Sequence, residues 1–271
     1  MITQDQPFYR RMGKGHPLVL IHGAMVNGAM FLLKSVAEEL SKNYDVIIPD
    51  LRGHGGSKNM PGPYTAIQHA EDIKKLLDEL NIKNAYVLGS SYGGVVAQQL
   101  THMYPSVVSK LILDGTFSYN KITFRDKIEA VIALFLLRLL GLKRFMHLVK
   151  YSPEPGFKNE PALKEEMQKM FADSDTKAAT VVLKEAFTFD SRSWLHNISC
   201  PTLIIGGLRS IGVPVHHTYF LHDKIKGSQL EIFEDAGHAL IWTHSERFIS
   251  VVKKFLEERI ETDDRQSYDL I

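Results

Sequence analysis

Cysteine is almost missing from this chain. Cys200 is the only one among 271 residues, which excludes an internal disulfide and points to a reducing compartment. It stands just before Pro201 at a strand entrance and reads as structural filler. An excess of charge is missing too. Lys+Arg number 32 and Asp+Glu 31, a net charge of +1, so no long-range field draws the chain to nucleic acid. Neither zinc-finger nor Walker spacing occurs, and no Gly-x-Gly-x-x-Gly follows a strand-like run. No flavin, nicotinamide or metal site is therefore expected. The longest apolar stretch, Ala130 to Leu142, is interrupted by Arg138 and falls short of the about 20 residues a bilayer span needs. The first residues lack the basic start and apolar core of a secretory signal, and a cytoplasmic location is expected. There is no internal repeat and no low-complexity segment.

The composition that remains, 44% hydrophobic and 23% charged, is that of a soluble globular domain. The most informative run is Val87-Leu88-Gly89-Ser90-Ser91-Tyr92-Gly93-Gly94. An apolar strand ends in Gly-x-Ser-x-Gly and a helical pattern follows, the sequence form of a nucleophile elbow. Side chains would not fit on both sides of so sharp a turn. Gly89 and Gly93 leave that space empty, and Ser91 stands at the tip with its hydroxyl exposed. The start of the following helix aims backbone N–H groups at a developing negative charge.

Short apolar runs recur at Leu18–Ile21, Val46–Ile48, Tyr86–Leu88, Leu111–Leu113, Leu203–Ile205 and Leu230–Phe233. Runs of this kind suit strands buried on both faces of a parallel sheet. Helical periods lie between them, as in Ile73, Leu76, Leu77 and Leu80, and again in Phe248, Val251, Val252 and Phe255. The alternation predicts an α/β fold: a mostly parallel central sheet with helices on both faces. Residues 117–195 break the rhythm. They hold no clear strand, but two apolar helical patterns: Ile128, Val131, Ile132, Phe135 and Leu136, then Met167, Met170 and Phe171. This segment reads as a helical cap inserted above the C-terminal edge of the sheet, where open α/β sheets bind ligands. Its apolar side chains either pack the cap onto the body or line a pocket for a greasy substrate. Residues 1–116 and 196–260 form the core in this division, and 261–271 a polar tail that frays.

By its motifs the chain resembles the α/β-hydrolase superfamily, over nearly its whole length. The resemblance is carried, in order, by His22-Gly23-Ala24, by Asp50-Leu51-Arg52-Gly53-His54-Gly55-Gly56-Ser57, by the elbow at Ser91, and by Asp235-Ala236-Gly237-His238. It implies that His238 is the base that activates Ser91, and that the backbone N–H groups of Ala24 and Tyr92 receive the oxyanion. It assigns His22 and His54 to holding loops rather than to acid–base work.

The third triad member is where the chain departs from the family. An acid usually follows the strand after the cap, in a stretch like Gly-x-x-Asp. Here the stretch is Gly207-Leu208-Arg209-Ser210, so Ser210 holds the usual acid position. Either the acid has been replaced and the site impaired, or Asp114 supplies it from the end of the preceding strand, as in some superfamily members, or the loop is misaligned and Asp223 is the nearest downstream acid. A lost charge can cost about 10⁴ in kcat.

The implied activity is a serine hydrolase cleaving carboxylic esters of small or medium hydrophobic substrates through an acyl-serine. Ser91 argues against the epoxide hydrolases and haloalkane dehalogenases of this architecture, which use an aspartate. Carbon–carbon bond hydrolases, lactonases, thioesterases and cofactor-free haloperoxidases keep a serine and stay open. So does a ligand-binding or signalling protein without efficient turnover. His216, His217 and His222 lack the companions of a metal site and read as helix surface. Arg125, Lys127, Arg138, Lys143, Arg144 and Lys150 make the early cap basic beside its apolar stripe. They form either a solvated face or one that rests on anionic lipid.

Overall fold

A computed structural model describes residues 6–119, 124–148 and 161–258. The expected tail, 261–271, lies outside them. Six strands run parallel: β2 (His16–Ile21), β3 (Tyr44–Pro49), β4 (Ala85–Ser90), β5 (Val108–Asp114), β6 (Thr202–Gly207) and β7 (Gln229–Phe233). A seventh, β1 (Tyr9–Met12), joins antiparallel to β3. The order across the sheet is β1-β3-β2-β4-β5-β6-β7.

The apolar runs sort by parity, because successive strand side chains point to opposite faces. Leu18, Leu20, Val46, Ile48, Leu88, Ile112, Leu203 and Ile205 face one core with helices α1 (Val36–Ser41) and α9 (Ser245–Glu257). Val19, Ile21, Ile47, Val87, Leu111, Leu113 and Ile204 face the other, with α2 (Ala66–Glu79), α3 (Tyr92–Met103) and α7 (His216–Lys224). A short helix, α8 (Leu240–Thr243), precedes α9. Lys110, a buried charge on β5, donates to the carbonyls of Phe255 (2.9 Å), Leu256 (3.0 Å) and Glu258 (2.6 Å). It thereby meets orphan acceptors at the end of α9 with a cation, which that end favours.

The strand β1 is not visible in the sequence as an apolar run. Tyr9-Arg10-Arg11-Met12 sits at a sheet edge, where charged side chains are tolerated and protective. The Arg11 guanidinium grips Asp45 of β3 through two bonds of 2.8 and 2.7 Å.

Between β5 and β6 the described residues include the α-helices α4 (Phe124–Leu148, broken at Gly141), α5 (Pro161–Ala172) and α6 (Thr176–Thr188). Their anchorage explains the Asp50–Ser57 stretch. Asp50 accepts from the N–H groups of Gly28 (2.7 Å) and Gly56 (2.8 Å), and Arg52 pairs with buried Asp72 at 2.6 Å. The loop so held binds the insertion by backbone, Gly55 N–H to Asp173 O at 3.0 Å and Asp175 N–H to Gly53 O at 2.8 Å. The excursion also closes on itself: Ser191 N–H donates to Ser118 O at 2.8 Å, beside a bridge between Tyr119 and Asp190.

The helical pattern of residues 128–136 is present in α4, but its apolar stripe is not the packed face. Ile128, Val131, Ile132 and Phe135 are exposed and Leu136 is half-buried. Among its described side chains the buried ones are Leu137, Leu142 and Phe145, which meet Ala179 of α6. This helix is apolar on both sides, so periodicity gave the helix without its buried face. The second pattern behaves as expected: Met167, Met170 and Phe171 are buried. Of the basic residues noted above, Arg138 and Arg144 are exposed, while the side chains of Arg125, Lys127, Lys143 and Lys150 lie outside the described residues. His217 corrects the expectation of a histidine surface on α7. It is buried against Phe117 and Tyr119, whereas His216 is exposed and His222 bonds Ser228 at 2.9 Å.

Candidate active site

Strand β4 delivers Ser91 to the C-terminal edge of the sheet. Its backbone sits at φ 55 and ψ −120, a strained conformation for a residue with a side chain. The packing enforces it. A Cβ at Gly89 would collide with the Gly93 carbonyl, and one at Gly93 would collide with the Ile21 carbonyl. The Ser91 N–H is fixed by the Asp114 carbonyl at 2.8 Å.

The loop after β7 brings His238 across the sheet. Its Nε2 lies 3.0 Å from Ser91 Oγ, within the reach needed for proton transfer. Two glycines bracket the imidazole. A methyl on Gly115 would lie 3.3 Å from His238 Nδ1, and one on Gly212 would lie 3.3 Å from Cγ and Cδ2. The loop after β2 covers the serine: a methyl on Gly23 would stand 3.3 Å from Ser91 Cβ. Ala24 follows directly. Tyr92 is the first residue of α3, so its N–H has no partner one turn back in the helix.

These groups border a cavity of about 240 Å³. Gly23, Ala24, Ser90, Ser91 and His238 form one side. Met25, Val26 and Met30 from the loop after β2, Met167 and Phe171 from α5, and Ala239, Ile241 and Trp242 near α8 form the rest. The wall is almost wholly apolar, and three of its side chains are methionines, which adapt to irregular shapes. Met25, Met30 and Trp242 carried no sequence signal. Only their position beside a glycine loop or a catalytic-type histidine could have singled them out.

The two acid candidates stand differently. Asp114 ends β5 opposite Ser90, fully buried, and accepts a 2.7 Å bond from the Ser90 hydroxyl at Oδ2. Its Oδ1 is buried without a hydrogen-bond partner among the described residues. Burial pushes its carboxyl up to about 7, with the Ser90 bond opposing the shift. Ser210 is half-buried, and its Oγ accepts from Val213 N–H at 3.3 Å. Asp223 lies exposed on α7, paired with Lys224 at 2.7 Å. The structure thus brings Ser91 and His238 together, seats Asp114 at the end of the neighbouring strand with its carboxyl bonded to Ser90 rather than to His238, and leaves Asp223 outside.

Nearby histidines are structural by geometry. His22 is fully buried, donates from Nδ1 to Gly23 O at 2.8 Å and accepts Leu51 N–H on Nε2 at 2.9 Å. Burial lowers it to about 4, so it stays neutral and joins two loops. His54 donates to Arg52 O at 3.1 Å, and burial lowers it to about 3. Burial pushes the Cys200 thiol up to about 11, which suits filler rather than nucleophile. One link escaped sequence reasoning. Tyr92 Oη donates to Glu185 of α6 at 2.6 Å, and the same carboxylate oxygen accepts Ala66 N–H at 2.7 Å.

Comparison with known proteins agrees with this architecture. The family model described as alpha/beta hydrolase fold matches residues 16–245. A poly(3-hydroxyalkanoate) depolymerase of Ectopseudomonas oleovorans is 28% identical, over 92% of this chain and 87% of its own. A pimeloyl-[acyl-carrier protein] methyl ester esterase of Aliivibrio fischeri is 28% identical, over 93% of this chain and 97% of its own. Among solved structures, a thermophilic esterase from Thermogutta terrifontis superposes with a TM-score of 0.82 at 27% identity, covering 92% of each chain.

Proposed function

The chain is a hydrolase of the α/β-hydrolase fold family, and on that premise we propose that it cleaves carboxylic esters of small or medium hydrophobic substrates through an acyl-serine. The observation that carries this reading is the 3.0 Å approach of His238 Nε2 to Ser91 Oγ at the wall of an apolar cavity. The cavity, about 240 Å³, lies just below the usual range for drug-sized ligands and suits a short or medium acyl chain. Relatives named for ester substrates support the same bond type.

In the reaction, His238 takes the Ser91 proton as Oγ attacks the carbonyl carbon. The oxyanion sits toward the N–H groups of Tyr92 and Ala24. His238 then returns the proton to the leaving alkoxide. A water, deprotonated by the same imidazole, hydrolyses the acyl-serine, and the carboxylic acid leaves. Asp114 supplies the acid in this scheme. Its neighbour Gly115 flanks the Nδ1 edge of His238, and a hydrogen bond from Nδ1 to the unpaired Oδ1, formed as the imidazole takes the proton, would draw the buried carboxyl to its charged form.

Ser210 at the usual acid position favours one second reading, a ligand-binding protein without efficient turnover. Hydrolysis of a series of p-nitrophenyl acyl esters, with fluorophosphonate labelling of Ser91, decides between them. Fast turnover peaking at short or medium acyl length, abolished with labelling in Ser91→Ala, supports the esterase. Slow labelling and negligible turnover leave the binding protein.

A further inference from the structure

We propose that the outer face of α4 docks the protein onto an anionic lipid surface. Among the described residues, nine large apolar side chains are exposed, and five of them lie on this one helix: Ile128, Val131, Ile132, Phe135 and Leu139. Each is between 46% and 66% exposed. Spacings of three and four residues align them in one stripe, roughly 16 Å long at 1.5 Å per residue. A monomer scatters its exposed apolar groups; a contiguous stripe calls for a partner surface.

Charge says which partner. Residues 121–150 carry seven Lys+Arg against two Asp+Glu, while the whole chain balances at +1. Arg138 and Arg144 are exposed. At about 100° per residue, Arg138 falls about 20° from Val131, on the border of the stripe. An apolar stripe edged by arginine is the form of a helix that lies in a membrane interface, its apolar face among the acyl chains and its cations at anionic headgroups. No helix of the described residues is long and apolar enough to cross the bilayer, so the mode is surface contact.

The opposite face of the same helix gives the docking a use. Leu137, Leu142 and Phe145 pack beside Met25, and Met25 lines the cavity at Ser91. A docked α4 would hold that cavity one helix thickness from the lipid. The inference concerns the surface alone and stands or falls apart from the esterase reading.

Sedimentation of the purified chain with phosphatidylglycerol vesicles and with phosphatidylcholine vesicles, at low salt, tests it. Most of the protein should pellet with the anionic vesicles and much less with the neutral ones. The pair Phe135→Glu and Leu139→Glu should weaken binding at least tenfold. The pair Arg138→Ala and Arg144→Ala should weaken it roughly fivefold per arginine and flatten its salt dependence. All four side chains are exposed, so unchanged melting and unchanged hydrolysis of a soluble short ester, where the parent hydrolyses it, are the controls for folding. No pelleting with anionic vesicles, or pelleting that survives the Phe135 and Leu139 substitutions, overturns the proposal. So does a lipid-free dimer that those substitutions dissolve, since the stripe would then be an interface between copies.

Discussion

The Tyr92 hydroxyl donates to Glu185 across 2.6 Å, tying the helix that follows Ser91 to the inserted helix α6. The proposed reaction needs only the backbone N–H of Tyr92. Its side chain serves the join. Tyr92→Phe should therefore lower stability by about 1–2 kcal/mol, because the part-buried Glu185 keeps only the Ala66 N–H. The kcat for a small ester should change less than threefold. Urea unfolding and steady-state kinetics on one preparation check both.

The left-handed backbone at Ser91 predicts a trade of stability against activity. Ser91→Gly removes the conformational strain, of order 1–3 kcal/mol, and should melt higher than the parent. Ser91→Ala removes the nucleophile but keeps the strain, and should melt near the parent. Both should lose hydrolysis by about 10⁴ or more. Calorimetry of the two variants separates strain from packing.

For the acid, Asp114→Asn should cut kcat by up to about 10⁴ with little change in KM. Ser210→Asp should gain less than tenfold. The reverse pattern, a large gain at Ser210→Asp and none lost at Asp114→Asn, would show that position 210 marks the missing acid.

Stability against pH carries opposing contributions, and Asp114 opposes the buried histidines, of which His22 is one. Asp114 has its native carboxyl raised from 3.8 to about 7 by burial. Its stabilising contribution is complete below about pH 4 and is lost as pH rises to about 7, on the order of 4 kcal/mol. His22 is lowered from 6.5 to about 4 by burial. Its contribution is complete above pH 6.5 and is lost as pH falls to about 4. Asp114→Asn should remove the first slope and leave that of the histidines, so the variant gains on the parent as pH rises from about 4 to about 7. Unfolding free energies across that window measure the difference.

Lys110→Met should destabilise by about 2–4 kcal/mol, since three carbonyls at the end of α9 lose a charged donor. Hydrogen exchange should rise first in the last turn of α9.

The turn at Ser91 was legible in the sequence because backbone geometry restricts what can stand beside it. Only glycine fits at 89 and 93, so the motif leaves a written trace. The inner parallel strands were legible because both their faces are buried, and β7, at the far edge with only Phe233 fully buried, because its apolar residues still run together. The edge strand β1 was not, since it is held by backbone pairing and by Arg11 on Asp45 rather than by apolar side chains. Nor was the exposed side of α4, a helix apolar on both faces. The contacts of Asp114 with Ser90 and of Glu185 with Tyr92 join residues 24 and 93 positions apart. Such pairs leave no local pattern to read.

The meeting of Ser118 and Ser191 makes residues between them a closed excursion from the sheet. A segment whose ends already touch can be exchanged without redrawing the rest of the chain. The two serines therefore mark splice points. A helical segment from another protein, joined there and given the paired backbone contacts to Gly53 and Gly55, would place a new roof over an unchanged Ser91. On the proposed reading, the segment that brings Met167 and Phe171 to the cavity is then exchangeable while the strand edge that carries Ser91 is kept, provided the replacement offers Tyr92 a carboxylate in place of Glu185.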